Sequence, residues 1–362
     1  MHLTWLELVN FRPYEALRFE PTEGVNILVG ENGAGKTSVL EAIGYLGMMR
    51  SFRGVPDRAL IREGSASAVI RGGIAGGASE TTVEVELPSD GRRTVLVNGK
   101  RPRRVHDTFL SVPVVVFLPD DLDVIKRGPR VRREYLDDLA ATLWPQAGQD
   151  LTEYDRALRQ RNALLRQGGR ETDTGTLDVW DGRVAVAGAK VLLHRRTLAV
   201  ALQPHLHHAY REVGGSGSVH WTYRSTWDSH SAGDIEALRV SLVEALVESR
   251  PKDMDVRTTT VGPHRDEPDL LLDGRPTRTE ASQGEQRTVA LALRIGAYRL
   301  IEDVRDQKPI LLLDDVFSEL DKERARRVVP LIENGQVFVT TARDDELPIR
   351  GRRWSVSEGS VS

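Results

Sequence analysis

A glycine-rich loop that ends in lysine and threonine is the segment most able to do chemistry. It reads Gly30-Glu31-Asn32-Gly33-Ala34-Gly35-Lys36-Thr37 and continues into Ser38. Glycines allow backbone dihedrals that turn successive N–H groups toward an anion, lysine can bridge β- and γ-phosphates, and threonine can ligate Mg²⁺. We therefore predict that residues 30–38 bind ATP, that Lys36 also acts in catalysis and that Thr37 is a metal ligand. The alternative is a chance match in an ordinary glycine turn.

The segments on either side of the loop favour the nucleotide interpretation. Val25–Val29 is a short apolar run typical of a buried strand, and Ser38–Gly47 carries apolar residues at helical spacing. A phosphate-binding loop needs this order of strand, loop and helix, because the start of the helix adds its positive dipole end to the backbone N–H groups.

A pair of acidic residues follows a second buried-strand pattern. Ile310–Leu313 is continuously apolar and ends in Asp314 and Asp315. Asp314 is predicted to hold Mg²⁺, through water, and Asp315 to orient the attacking water as a catalytic residue. The alternative is a strand that ends in a polar turn.

A third motif, Ser282-Gln283-Gly284-Glu285, opens a helical pattern. By itself it is best explained as a capping box in which Ser282 and Glu285 satisfy the first N–H groups of the helix. Its position between the glycine loop and the acidic pair favours a second phosphate-binding element over a capping box alone. Ser318-Glu319-Leu320-Asp321 then follows the acids. This order resembles the ABC-type ATPase heads.

Further segments narrow the resemblance and span essentially the whole chain. They are Leu8-Val9-Asn10-Phe11-Arg12-Pro13-Tyr14, Ser51-Phe52-Arg53 and Val261-Gly262-Pro263-His264-Arg265-Asp266. Together with the motifs above they look like those of the RecF family, bacterial DNA-repair ATPases whose heads are related to SMC proteins. His264 is the one histidine for which we suspect a function, although a structural role remains open.

The resemblance implies the roles of several residues. Ser282 would contact the γ-phosphate held by a second subunit, and Gln283, Gly284 and Arg12 would be further nucleotide contacts. Two departures from the general ABC pattern indicate slow turnover. Asp315 stands where transporters use glutamate, and Thr340 and Thr341 stand where a switch histidine is usual.

The resemblance also implies partners. These are an ATP-dependent homodimer, DNA at gapped duplexes and single-strand/duplex junctions, and the RecR, RecO and RecA proteins, with a role in recombinational repair and the SOS response. The expected activity is a slow, DNA-stimulated, Mg²⁺-dependent ATPase.

Hydrophobic periodicity predicts an α/β fold with an inserted, mostly helical second lobe, and the resemblance implies that the α/β part is a P-loop ABC-type ATPase head. Residues 1–118 are expected to form the first part of the head, 119–250 the helical lobe and 251–362 the rest of the head. Thr81–Leu87 and Thr94–Val97 are predicted to form a hairpin, and Gly72–Gly77 a flexible loop.

Composition limits the other possibilities. The chain lacks cysteine, has a formal charge of -3 and lacks an apolar run of membrane-spanning length, so we expect a cytoplasmic protein without a membrane partner. His205, His207 and His208 are not spaced for zinc. Two basic segments could contact DNA or could be solvated surface. They comprise Arg92, Arg93, Lys100, Arg101, Arg103 and Arg104, and Lys126, Arg127, Arg130, Arg132 and Arg133.

Three other functions compete with an ATPase that couples hydrolysis to dimer opening on DNA. ATP could act only as glue between two subunits. The chain could serve a transporter, but the long segment between Lys36 and Ser282 disfavours this. It could carry a long SMC-like arm, but about 130 helical residues at about 1.5 Å each, folded back, are too short.

Overall fold

The computed structural model describes residues 1–76, 80–102, 113–228, 234–320, 322–332, 335–343, 347–357 and 359–362. The chain divides into two compact units. The head unit comprises residues 1–122, 208–216 and 287–362, and the helical unit comprises residues 123–207 and 217–286.

The strands alternate with helices along much of the chain. The strands are β1 His2–Phe11, β2 Tyr14–Phe19, β3 Val25–Val29, β4 Ser67–Ala75, β5 Glu80–Pro88, β6 Thr94–Val97, β7 Val114–Phe117, β8 Val219–Arg224, β9 Glu267–Leu272, β10 Arg275–Pro276, β11 Ile310–Asp314, β12 Val337–Thr341, β13 Arg352–Ser357 and β14 Ser360–Val361. The longer helices are α1 Lys36–Met48, α2 Pro129–Leu143, α3 Pro145–Gly168, α4 Thr174–Glu212, α5 Ile235–Val256, α6 Gln283–Arg305 and α7 Lys322–Ile332. Single helical turns lie at Asp123–Lys126, Thr277–Glu280 and Val316–Glu319.

The head unit contains two sheets. The described strands of one run in the order β14-β13-β3-β12-β11-β7, with parallel pairing from β13 to β7. The other is antiparallel, in the order β2-β1-β4-β5-β6. The side chain of buried Gln336 joins them, because it bonds both the N–H and the carbonyl of Leu3 on β1 just before β12 begins.

Helix α1 lies in the core that the two sheets share. Apolar residues of α1 pack with Leu6, Ile70 and Val85 of the antiparallel sheet and with Leu312 and Phe338 of the parallel one. The helix is buried on most sides, and this burial includes the polar residues Lys36, Ser38 and Glu41 of its first turns. The start of the helix, and with it the glycine loop, is therefore held by the core of the unit.

The helical unit packs around a separate core. Tyr154 of α3, Leu192 of α4 and Leu242 of α5 are buried members of it. A small antiparallel sheet in the order β10-β9-β8 completes the unit, with Trp221 of β8 opposite Leu270 of β9. Since β8 comes from the predicted helical lobe, this pairing draws residues 251–286 into the same unit.

The observed division therefore differs from the predicted boundaries near 118 and 250. The head unit extends to residue 122 and resumes at 287, and it also takes up residues 208–216. Periodicity does not reveal which segments pair in a sheet, so the contribution of β9 and β10 to the helical unit was missed. Ser282 consequently lies in the helical unit.

One further prediction was wrong. Residues 72–75 of the predicted flexible loop belong to strand β4, while Gly77 lies outside the described residues. A Cβ atom on Gly72 would lie 2.5 Å from Leu46 Cδ1, and one on Gly73 would lie 2.2 Å from Trp5 Nε1. These glycines are explained by close packing across a strand.

The α/β fold class with a mostly helical second lobe is confirmed. The hairpin is also confirmed, with Val85 of β5 opposite Val95 of β6. In the described part of the chain, no helix has the length and hydropathy needed to span a membrane.

Candidate nucleotide site

The predicted phosphate loop and acidic pair follow neighbouring strands of the parallel sheet. Strand β12 lies between β3 and β11, with Thr340 opposite both Leu28 and Asp314. The carboxyl ends of parallel strands meet at one edge of a sheet, which is where open α/β sheets bind ligands. The loop after β3 and the acids at the end of β11 are therefore brought together, although about 280 residues separate them in sequence.

Two loop glycines are required by their surroundings. A Cβ atom on Gly30 would lie 2.3 Å from the carbonyl oxygen of Val356 on β13. Gly35 precedes α1 with φ +106°, a conformation that other residues rarely adopt, and a Cβ there would lie 2.7 Å from Tyr14 Oη. Tyr14 Oη also donates to the Gly35 carbonyl at 3.1 Å. The loop is thus held on two sides by the head unit.

Lys36 curls back over the loop that precedes it. Its Nζ donates to the carbonyl oxygens of Gly30 at 2.7 Å and Glu31 at 2.8 Å. Burial lowers the pKa of Lys36, and the carboxylates of Asp315 and Asp314 oppose that shift. The ammonium group is therefore partly desolvated and held by neutral acceptors, which anionic phosphate oxygens could replace.

Asp314 accepts hydrogen bonds from two hydroxyl groups through one oxygen. Its Oδ1 lies 2.9 Å from Thr37 Oγ1 and 2.7 Å from Thr340 Oγ1. Thr37 and Asp314 were predicted as metal ligands, and the structure brings their oxygens within hydrogen-bond distance. Thr340 had no assigned role in the sequence. Its position one strand away from Asp314 depends on strand order, which the sequence pattern did not supply.

Asp315 lies at the exposed end of the same strand in an unusual backbone conformation. Its φ of 49° is left-handed, and its N–H donates to Thr340 Oγ1 at 2.9 Å. Such a conformation costs a non-glycine residue about 1 kcal/mol or more, and such residues cluster at functional sites. The Thr340 hydroxyl thus fixes both acids, accepting from the backbone of one and donating to the carboxylate of the other.

Arg12 is held by a buried carboxylate on α1. Its Nε and Nη2 donate to the two oxygens of Glu41 at 2.9 and 3.1 Å, and Glu41 is fully buried. Ser51 Oγ donates to the same carboxylate. Arg12 and Ser51 belong to two of the segments that carry the resemblance, and Glu41 is a structural partner of both. The sequence did not single out Glu41, because a glutamate within an apolar helix carries no local signal.

The Ser282 motif forms the capping box that its local pattern favoured. The Ser282 N–H donates to Glu285 Oε2 at 2.7 Å, and the Glu285 N–H donates to Ser282 Oγ at 3.3 Å. Buried Gln286 donates through Nε2 to the carbonyls of Thr277, Arg278 and Ala281 before the helix, with that of Thr277 at 3.1 Å. Ser282 and Gln283 are exposed at the start of α6. The serine is thus presented at a helix start whose position is fixed by its own unit.

His264 is half-buried in the helical unit. Its Nε2 lies 3.1 Å from the Thr259 carbonyl, which can only accept, so Nδ1 must accept the hydrogen bond from Tyr154 Oη at 2.6 Å. Burial lowers the pKa of His264 to about 4. Burial also raises the pKa of neighbouring Asp266 to about 6, although the hydrogen bond that Tyr223 donates to this carboxylate lowers the pKa. The neutral imidazole ties its loop to α3, which is a structural role.

The predicted basic segments are partly committed to internal contacts. Arg93 donates to Tyr45 Oη at 3.0 Å, and Arg132 and Arg133 donate to the carbonyls of Pro268 and Asp266. Arg92, Lys100 and Arg101 are exposed. Arg103 and Arg104 lie outside the described residues, as does Asp321 of the predicted Ser318 motif.

The chemistry of the donors and acceptors fits a magnesium nucleotide. The Thr37 hydroxyl and the Asp314 carboxylate are oxygen ligands of the kind that Mg²⁺ prefers, with substrate phosphates completing its coordination. Lys36 and the α1 start supply positive charge beside them. The residues present therefore fit both ATP and Mg²⁺.

The comparison with known proteins extends over nearly the whole chain. The family model described as the RecF/RecN/SMC N terminal domain matches residues 2–354. A DNA replication and repair protein RecF from Acidothermus cellulolyticus is 41% identical over 369 residues, covering 100% of this chain and 99% of the relative. The chain belongs to the RecF family. This confirms the resemblance inferred from the motifs.

Other RecF proteins and solved structures agree. The RecF of Frankia alni is 39% identical, with 100% of this chain and 99% of the relative covered. A structure described as the recombination mediator protein RecF-ATP in the RecFOR pathway superposes with a TM-score of 0.94 at 29% identity, covering 100% of this chain and 97% of the other. An Smc head, at 18% identity and a TM-score of 0.57, shares the fold. The chain is thus a RecF-type DNA replication and repair protein with an ABC-type ATPase fold.

Proposed function

We propose that this protein binds ATP and Mg²⁺ at the loop of residues 30–38 and hydrolyses ATP slowly. The observation that carries the proposal is the Asp314 carboxylate, whose Oδ1 lies 2.9 Å from the hydroxyl of Thr37 in the phosphate loop. A solved structure described as RecF-ATP supports ATP binding, because its fold matches this chain along its full length.

Each residue at the sheet edge has a distinct task in this proposal. Thr37 and Asp314 hold the metal, which when bound would neutralise phosphate charge. Lys36 binds β- and γ-phosphate oxygens, and Asp315 orients the attacking water. Thr340 keeps the two acids in place. Arg12, positioned by Glu41, is a further nucleotide contact. Asp315 is one methylene shorter than glutamate, and threonines rather than a histidine stand at positions 340 and 341, the last two of β12, which supports slow turnover.

We further propose that ATP drives dimerisation, with Ser282, Gln283 and Gly284 of one subunit meeting the γ-phosphate bound by the other. The exposed capping box supports this role, because its serine lies at a helix start whose dipole favours negative charge. Dimers would bind gapped duplexes and single-strand/duplex junctions, which stimulate hydrolysis. With RecR and RecO they would promote RecA loading on single-stranded DNA in recombinational repair and the SOS response.

Light scattering with and without ATP and Mg²⁺ tests the dimer. The expected result is a shift from monomer toward dimer that Ser282→Arg abolishes, because the larger side chain blocks the shared phosphate. Arg278→Ala, a few residues earlier in the same unit, serves as a control for surface changes. A dimer that responds neither to nucleotide nor to Ser282→Arg would contradict the trans site.

Lys36→Arg separates the ATPase from a protein in which ATP is only glue. The ATPase proposal expects this variant to bind ATP but to fail in repair when hydrolysis stops. Full repair by a variant that binds ATP and dimerises without hydrolysis would overturn it. Parallel titrations of a gapped and a blunt duplex, with and without RecR, measure the proposed junction preference.

A further inference from the structure

A groove in the helical unit combines an aromatic side chain with arginines. It lies between α3 and α4, next to Arg239 of α5, and has a volume of about 690 Å³. Ala157 of α3 and Gly182 and Ala187 of α4 line it, so its floor is small and apolar. The polar and aromatic lining comprises Glu153, Arg156, Gln160, Trp180, Arg183 and Arg239.

The aromatic and cationic groups of the groove are already stacked. The Arg183 guanidinium lies 4.9 Å from the centroid of the half-buried Trp180 ring. Val179 and Val186, on the two sides of this pair along α4, are 56% and 47% exposed. A flat guanidinium and an indole on an apolar helix face offer stacking surface to another planar group.

Two of the three arginines are not neutralised. Arg239 pairs with Glu236. For Arg156 and Arg183, the described part of the chain supplies no carboxylate at ion-pair distance. Glu153 is the acidic residue that lines the groove. The groove therefore carries net positive charge next to the Trp180 ring.

We propose that this groove binds single-stranded DNA, with a base stacked against the Trp180–Arg183 pair and backbone phosphates at Arg156 and Arg239. A phosphate can displace Glu236 from Arg239, because their ion pair is exposed to solvent and therefore weak. Aromatic platforms beside cations are the means by which proteins hold single strands without sequence preference. An acidic protein partner would use the arginines but would leave the flat stacking surface without a matching ring. The inference rests on the proposed DNA-binding function and assigns part of it to a site distinct from the nucleotide site.

The test uses the full-length chain and a short oligothymidylate, with intrinsic tryptophan fluorescence and anisotropy as readouts. Trp180→Ala is expected to weaken binding on the order of tenfold, because it removes the ring on which one base stacks. Trp180→Phe should retain much of the affinity because it keeps an aromatic face. The oligonucleotide should quench the wild-type fluorescence more than that of Trp180→Phe.

Salt dependence tests the phosphate contacts. Replacing both Arg156 and Arg239 by Ala should make the slope of log K against log salt concentration shallower by about 1.4, at about 0.7 for each single-strand phosphate contact. The control replaces Arg170 and Arg224, which are exposed in the same unit and pair with Asp255 and Glu267. It changes the net charge equally and should leave the slope unchanged.

Three results would overturn the proposal. One is unchanged oligothymidylate binding in the groove variants, and another is an equal loss in the Arg170/Arg224 control. The third is loss of RecR binding with normal DNA binding, which would make the groove a protein site. ATP-dependent binding of a gapped duplex is measured in parallel, and the groove variants should retain most of it. If the wild type itself did not bind a gapped duplex in an ATP-dependent way, that result would instead contradict the function proposed above.

Discussion

Lys36 of the head unit and Arg161 of the helical unit are both buried cations, but their surroundings differ. Lys36 donates to two neutral carbonyl oxygens of its own loop. Arg161 is fully buried and donates to the carboxylates of Asp181 at 2.6 Å and Asp253 at 2.7 Å, and to the Thr259 hydroxyl at 2.9 Å.

Under the function proposed above, the difference separates a site for chemistry from a structural support. A cation held by neutral acceptors can exchange them for a more strongly attractive anion. A cation held by buried carboxylates cannot leave without making those carboxylates buried and unpaired, which is costly in a protein interior. The partners of a buried charge therefore distinguish functional from structural residues better than burial does.

The largest expected effect tests the structural half of this comparison. Arg161→Met leaves Asp253 buried without its cation and should lower the free energy of unfolding by about 3–5 kcal/mol. Urea unfolding followed by circular dichroism measures it. Arg166→Met, at an exposed position later on the same helix, should change the free energy of unfolding by no more than about 0.5 kcal/mol. A small effect at Arg161 would mean that its carboxylates find other partners.

The next effect tests the functional half. Lys36→Met should reduce ATP hydrolysis on the order of 10²- to 10³-fold, the usual loss when a group that stabilises developing charge is removed. Its free energy of unfolding should change by only about 1 kcal/mol, because the residue's bonds are to neutral groups. Steady-state phosphate release and urea unfolding measure the two quantities. Lys100→Met, exposed in the same unit, is the control.

If Lys36→Met unfolded the protein as strongly as Arg161→Met, the distinction between the two cations would fail.

The smallest effect extends the comparison to His264, which is half-buried and neutral. Its folded pKa of about 4 lies below the ordinary value of 6.5, so the unfolded chain takes up the proton first. Stability from His264 is therefore lost as pH falls from about 6.5 toward 4. The advantage of the wild type over His264→Gln should shrink by at most about 1.4 kcal/mol per pH unit in that window.

Asp266 acts in the opposite direction, because its raised pKa favours the folded state as pH falls. It is present in both proteins and cancels in their difference. Urea unfolding at pH 7, 6 and 5 measures the change, with exposed His208→Gln as the control. A constant difference between wild type and His264→Gln would show that the imidazole does not stay neutral.

The sequence by itself determined the parts whose chemistry lies within one contiguous segment. The glycine loop, the apolar strand before the acids and the Ser282 capping box are local, because each depends on dihedral freedom, periodicity or bonds between near neighbours. These segments also sufficed for the family resemblance. They did not fix what lies beside each of them in the folded chain.

Only the tertiary structure decided the contacts between distant segments. The order β3-β12-β11 brings Thr340 to Asp314, the packing of α1 brings Glu41 to Arg12, and the pairing of β8 with β9 moves residues 251–286 into the helical unit. The groove at Trp180 likewise needs two helices side by side. Local patterns constrain the backbone of a segment, whereas its neighbours depend on how the whole chain buries its apolar surface.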